Sequence, residues 1–171
     1  MAARKKEAGK SLVERLKGIS WKVLVLSLII VYLAALIGSL FTSSSVKSEW
    51  YQQIKPGITP PSYIFPIVWN ILFFLIALSL YFAWTNSRNK SDRKKIAGVF
   101  AANLMLNVLW SALFFGMKNP LAGFIDIILL WLSIIFMIAA TWKISRASAY
   151  LLIPYFLWVS FAAVLNYLAI S

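Results

Sequence analysis

LAGFIDIILLWLSIIFMIAATW, residues 121–142, carries one ionisable side chain, Asp126, in 22 consecutive positions. As an α-helix this stretch rises about 33 Å at ~1.5 Å per residue, enough to cross a hydrocarbon core of ~30 Å. Working outward from it, comparable apolar stretches run near 23–41, 64–84, 96–117 and 147–170. With 61% hydrophobic and 13% charged residues and a mean hydropathy of +0.81, the chain is not composed like a water-soluble domain. The expected fold is all-α, an integral membrane bundle of five transmembrane helices spanning 23–171. A basic tail, 1–22, precedes it, and the longest loop, 42–63, joins the first two spans.

The position of the charges orients the bundle. Five spans place the tail, the second loop and the fourth loop on one side, and these hold 14 of the 17 Lys and Arg residues; only Lys47, Lys55 and Lys118 fall on the other. The positive-inside rule then puts the N-terminus inside and the C-terminus outside. Attraction to anionic lipid accounts for the net charge of +12 without nucleic acid. In the tail, Ser11 and Glu14 read as a capping box that opens a short surface-lying turn through Leu12, Val13 and Leu16.

Composition also narrows the chemistry. With no Cys and no His there is no disulfide, no thiolate nucleophile, no Cys-based zinc site and no usual axial haem ligand, so no metal site is expected. Asp126 is the only acidic residue in a span, whereas ion-coupled transporters place several ionisable groups there. Its position near the start of the fourth span favours a carboxylate through the helix dipole, and a contact with Lys118 or with a ligand is the alternative.

Local signals set the boundaries. Asn119 and Pro120 supply an N-cap and a first-turn proline for the fourth span, and Gly116 closes the third. The 42–63 loop holds Trp50, Tyr51, Pro56, Pro60 and Pro61, a stiffened and aromatic segment suited to packing over the bundle as a lid. Interfacial anchoring is the other use of Trp50 and Tyr51.

Three spans carry stripes that mix aromatics with an amide or a small residue: Phe65, Trp69 and Phe73; Asn103, Asn107, Trp110 and Phe114; Tyr155, Trp158, Ala162 and Asn166. Measured from the outer surface at ~1.5 Å per residue, they share one slab, with Trp69 roughly 8 Å, Asn107 roughly 15 Å and Trp158 roughly 18 Å deep. Amides at such depths face the bundle interior. Two arrangements satisfy this: interhelical hydrogen bonds within an aromatic core, or a lidded pocket for a flat, mostly apolar ligand oriented by Asn and Trp N–H groups.

The motifs themselves resemble a known family. Trp50-Tyr51, Lys55-Pro56, Pro60-Pro61-Ser62-Tyr63-Ile64-Phe65 and Val68-Trp69 are similar to the WY…KP…PPxWxFxxVW signature of the TspO/translocator protein family, the peripheral-type benzodiazepine receptors. Asn107, Trp110 and Phe114-Phe115-Gly116 resemble its LNxxWxxxFFG, and Leu151 to Asn166 its LLxPYxxWxxFAxxLN.

This resemblance implies a five-helix bundle, commonly a homodimer, in a microbial cell membrane. It implies a receptor for porphyrins such as protoporphyrin IX and haem, and for isoquinoline carboxamide or benzodiazepine drugs. The porphyrin is ligand or substrate rather than an obligatory cofactor. Tetrapyrrole regulation or light-dependent porphyrin breakdown is the implied role, with Trp69 and Trp158 the electron-rich candidates for photochemistry; transport of tetrapyrroles or sterols is the alternative. The implied ligand-binding residues are Trp50, Tyr51, Trp69, Phe73, Asn107, Trp110, Tyr155, Trp158, Ala162 and Asn166.

Departures from the pattern are Tyr63 in place of the usual Trp, Phe73 for Tyr and Asn103 for Gln. Tyr167 lacks the following basic residue of the animal sterol motif. Small-xxx-small pairs suited to close helix approach occur at Ala34/Gly38, Ala97/Ala101 and Gly98/Ala102.

Overall fold

The computed structural model describes residues 20–170, so the Ser11–Glu14 capping box lies outside the described residues. Helices run in the order α1 (Trp21–Ser45), α2 (Glu49–Ile54), α3 (Ile64–Asn86), α4 (Lys90–Ser111), a π-helical turn (Ala112–Gly116), α5 (Pro120–Trp142), α6 (Arg146–Leu151) and α7 (Ile153–Leu168), with no strand among the described residues. Five segments are long and apolar enough to span a membrane: α1, α3, α4 with its π turn, α5, and α6 with α7. The chain is thus a multi-pass integral membrane protein, as its hydropathy requires.

Capping chemistry explains where these helices begin. Asn89 Oδ1 accepts from Asp92 N at 2.8 Å, so α4 starts six residues before the apolar stretch that marks it in the sequence. Its basic first turns carry Arg93, which lies 5.7 Å over the Trp84 ring. Asn119 caps α5 as expected, accepting from Ala122 N at 3.0 Å, with Pro120 in the first turn. The fifth span breaks at Leu152, just before Pro154, whose ring cannot donate to the preceding turn.

The end of α4 differs from the sequence expectation. Gly116 does not supply the left-handed residue that closes the helix; Lys118 does, at φ 51°. The reason is the π turn, in which Met117 N donates to Ala112 O at 2.7 Å and Asn119 N to Leu113 O at 3.1 Å. The wider turn moves the reversal toward α5 and buries both Phe114 and Phe115. Gly116 serves a close approach instead, since a Cβ there would sit 2.9 Å from Phe41 Cδ1.

The core runs along α3, α5 and α7 through Ile76, Ala77, Leu130, Ile134, Tyr155 and Val159. Away from the lid end, Ser79 and Ser148 clasp α3 to α6, their hydroxyls 2.8 Å apart and Ser148 Oγ donating to Ser79 O at 2.8 Å. α1 is peripheral, with only Ser27, Val31 and Gly38 buried. Its Ala34/Gly38 pair is used within the chain, because Gly38 packs on Ser111. Ala97, Gly98, Ala101 and Ala102 stay exposed on α4.

Candidate functional site

Beneath residues 42–63 lies a cavity of about 940 Å³. This volume lies within the range of small-molecule sites. α1, α3, α4 with the π turn, and α7 form its walls.

The lid is tied down at several points. Ser45 Oγ donates to Phe115 O at 3.2 Å, Ser48 Oγ to Ser45 O at 2.7 Å and Gln52 Nε2 to Val46 O at 3.1 Å. Tyr51 N donates to Ser48 Oγ, which caps α2. Trp50 meets Phe114 edge-on at 5.9 Å, and Tyr51 leans on Phe115 at 5.5 Å. The two lid aromatics therefore pack on the π turn. Burial pushes the Tyr51 phenol above its ordinary range, so it remains a protonated donor across neutral pH.

Two stacked aromatic pairs line the interior. Trp69 and Phe73 of α3 stack at 5.2 Å and 29°, and Trp110 stacks on Phe114 at 5.3 Å and 20°. The polar groups divide sharply in role. Trp110 Nε1 donates to Asn166 Oδ1 at 2.9 Å, and Asn166 Nδ2 donates to Pro120 O at 2.8 Å. Both side chains line the cavity, but their hydrogen bonds are spent tying α4, α7 and α5 together. Asn107 Nδ2 donates to Tyr155 OH at 3.2 Å, Tyr155 OH to Asn103 Oδ1 at 3.3 Å, and Asn103 Nδ2 to Ser133 Oγ at 2.7 Å. This relay fixes the Asn107 amide at the cavity wall. Trp69 Nε1 has no acceptor among the described residues and is free for a ligand.

Of the ten expected binding residues, the structure brings Tyr51, Trp69, Phe73, Asn107, Trp110, Ala162 and Asn166 to the cavity. Trp50, Tyr155 and Trp158 do not line it. Trp50 packs edge-on to Phe114 of the π turn, and Tyr155 is fully buried beneath Trp69, 6.2 Å away. Trp158 sits against Phe65 at 5.8 Å and faces a separate apolar cleft with Val68, Leu72 and Pro154. Helical phase explains this: each step of four residues turns a side chain by about 40°, so Trp158 lies about 80° from Asn166.

Asp126 is buried, with neither oxygen hydrogen-bonded and no ion pair to Lys118 among the described residues. It does not line the cavity. The sequence reading missed the α1 wall, Tyr32, Ala35, Ser39 and Thr42, although its 3-4-3 spacing was available, and it gave no site role to Lys47, Lys55 or Phe115.

Residues 26–170 match the model of the TspO/MBR family. The chain belongs to that family. It is 44% identical over 145 residues to the "Tryptophan-rich protein TspO" of Archaeoglobus fulgidus, covering 84% of this chain and 92% of the relative. It is 30% identical to the "Tryptophan-rich sensory protein" of Cereibacter sphaeroides, covering 82% and 88% respectively. The "Translocator protein" of Ovis aries is 34% identical, with 70% of this chain and 72% of the relative covered. In this TspO/MBR member the family-like WY and FFG motifs meet, Trp50 on Phe114 and Tyr51 on Phe115.

Proposed function

We propose that this TspO/MBR-family protein is a membrane receptor whose lidded cavity binds porphyrins, protoporphyrin IX and haem among them. The same cavity accommodates other flat hydrophobic molecules such as isoquinoline carboxamides. The observation that supports this reading is the pair of stacked aromatic walls, Trp69–Phe73 and Trp110–Phe114, facing one cavity with a free indole N–H and an oriented asparagine. Aromatic faces favour a planar apolar guest, and the few polar groups set its orientation. The homodimer implied by the motifs would use the exposed Ala97–Ala102 face of α4.

Titration in the dark, followed by tryptophan quenching, tests the reading. Ala162 is half-buried and lines the cavity, so Ala162→Phe should occupy ligand space, weakening protoporphyrin IX binding about tenfold at an unchanged thermal midpoint. Non-saturable partitioning, or equal binding by this variant, would remove the cavity from the account. Haem supplies the second arm. Without His or Cys in the chain, haem and metal-free protoporphyrin should bind within about threefold of each other, and a much tighter haem complex would signal axial ligation that this reading does not contain.

A further inference from the structure

The cavity is electrically lopsided. Its lining includes two charged side chains, Lys47 and Lys55, and no carboxylate. Both lysines lie on the segment over the mouth, Lys47 just beyond the end of α1 and Lys55 at the C-cap of α2. Neither ammonium has a hydrogen-bond or ion-pair partner among the described residues. Phe73, which lines the cavity from α3, is ten residues beyond Tyr63, about 15 Å farther along at the helical rise. Both cations of the lining therefore belong to the lid segment.

A third group points the same way. Thr59 lines the cavity, and its hydroxyl is buried without a hydrogen-bond partner. Its backbone is held in place, Thr59 N donating to Pro56 O at 3.0 Å, and Lys55 N donates to Tyr51 O at 2.9 Å. The lid segment therefore brings an orphaned hydroxyl and two ammonium groups without partners among the described residues to the lining of one cavity, a set of donors with no acceptor. Of the three only the Thr59 hydroxyl is buried, where a missing partner is costly; Lys47 is exposed and Lys55 half-buried, and an anionic acceptor at the mouth would pair with both ammonium groups and satisfy the hydroxyl.

We propose that Lys47, Lys55 and Thr59 form a carboxylate-binding edge, so that the site selects amphipathic planar acids over their neutral esters and holds the acid edge toward the lid. This rests on the cavity being the porphyrin site, and it specifies the orientation and chemical class of that ligand. The lysine stems can lie along the apolar wall while the ammonium groups remain at the wet mouth. Each carboxylate then keeps water on one side and gains charge-assisted hydrogen bonds on the other. A guest inserted the other way would drive its carboxylates away from the lid, where no cation lines the wall.

The test compares protoporphyrin IX with its dimethyl ester in phosphatidylcholine nanodiscs, which add no net lipid charge. Wild-type protein should bind the free acid about tenfold tighter than the ester. Lys47→Gln with Lys55→Gln should erase that ratio by weakening the acid and leaving ester affinity unchanged, and the corresponding Arg pair should restore it. Lys94→Gln with Lys95→Gln removes the same charge from an exposed surface and should preserve the ratio, which separates local recognition from attraction by net charge. Thr59→Val should reduce the preference for the acid by a smaller factor. Equal wild-type affinities, or a ratio unchanged in the Lys47/Lys55 variant, would overturn the carboxylate edge. If the ester still bound saturably and Ala162→Phe weakened it, the cavity reading would survive that result. Absence of saturable binding by both compounds would defeat the cavity reading itself, and the edge with it.

Discussion

Leucine at Gly123 is expected to lower stability by about 3 kcal/mol and to abolish porphyrin binding at concentrations that saturate the wild type. Gly123 is buried in α5 opposite the π turn. A Cβ there would lie 3.0 Å from both Cβ and Cδ2 of Phe114 and 3.3 Å from Asn166 Oδ1. Its φ is ordinary, so the demand is for space and not for backbone freedom. Neither neighbour can retreat cheaply. Phe114 is stacked on Trp110 and meets Trp50 and Phe115 edge-on, while Asn166 accepts from Trp110 and donates to Pro120 O. Three added carbons beyond that Cβ must push Phe114 toward the cavity or separate α4 from α5. The thermal midpoint and the dark titration measure the two consequences. Gly123→Ala should fall between leucine and wild type. Phe114→Ala in the leucine background should recover part of the midpoint by making room, a coupling that a double-mutant cycle isolates. An unchanged midpoint in Gly123→Leu would show that α4 and α5 are not locked at this contact.

That contact also marks where sequence reading stops. Hydropathy located all five spans, because uninterrupted apolar length is a property of the chain alone. It placed the start of α4 late, since Lys90–Lys95 is too polar to count as span, although Asn89 and Asp92 form a cap that could have been recognised. The stripe on α3 led to a true cavity wall because α3 is one continuous helix; that on α4 did so through Asn107 and Trp110, whereas Asn103 is spent on Tyr155 and Ser133 and Phe114 is placed by the π turn. On α7 the stripe led only partly there: Ala162 and Asn166 face the cavity, while Trp158 has turned away toward α3. The α1 wall passed unnoticed because Ala35, Ser39 and Thr42 are small or hydroxylated, and aromatic-amide mixing cannot select them. The π turn has no marker in ALFFG, yet it sets the positions of Phe114, Phe115 and Lys118. Which donors are left for a ligand was also hidden. Trp110 and Trp69 look equivalent in sequence, and only the helix rotations show that Asn166 has claimed one of them.

The same division of donors carries the second large effect. Trp69→Ala is expected to weaken protoporphyrin IX binding by about thirtyfold or more, the scale of a buried aromatic hot spot. Trp69 contributes a stacked face shared with Phe73 and a free N–H, and it covers Tyr155 edge-on. Alanine removes all three at once. Trp69→Phe retains a ring and loses the donor, so a smaller loss of about fivefold is expected, of the order of one hydrogen bond. Trp158 supplies the contrast. Its indole lies off the cavity between Phe65 and Phe161, and its N–H is buried without an acceptor. Trp158→Phe should therefore leave affinity within about twofold, since it neither removes a cavity wall nor breaks an existing hydrogen bond. Measured side by side, the two tryptophans distinguish a ligand-facing indole from one that fills the α3–α7 interface. If Trp158→Phe were the weaker binder of the two phenylalanine variants, the ligand would have to occupy the apolar cleft of Val68, Leu72 and Pro154 instead of the lidded cavity.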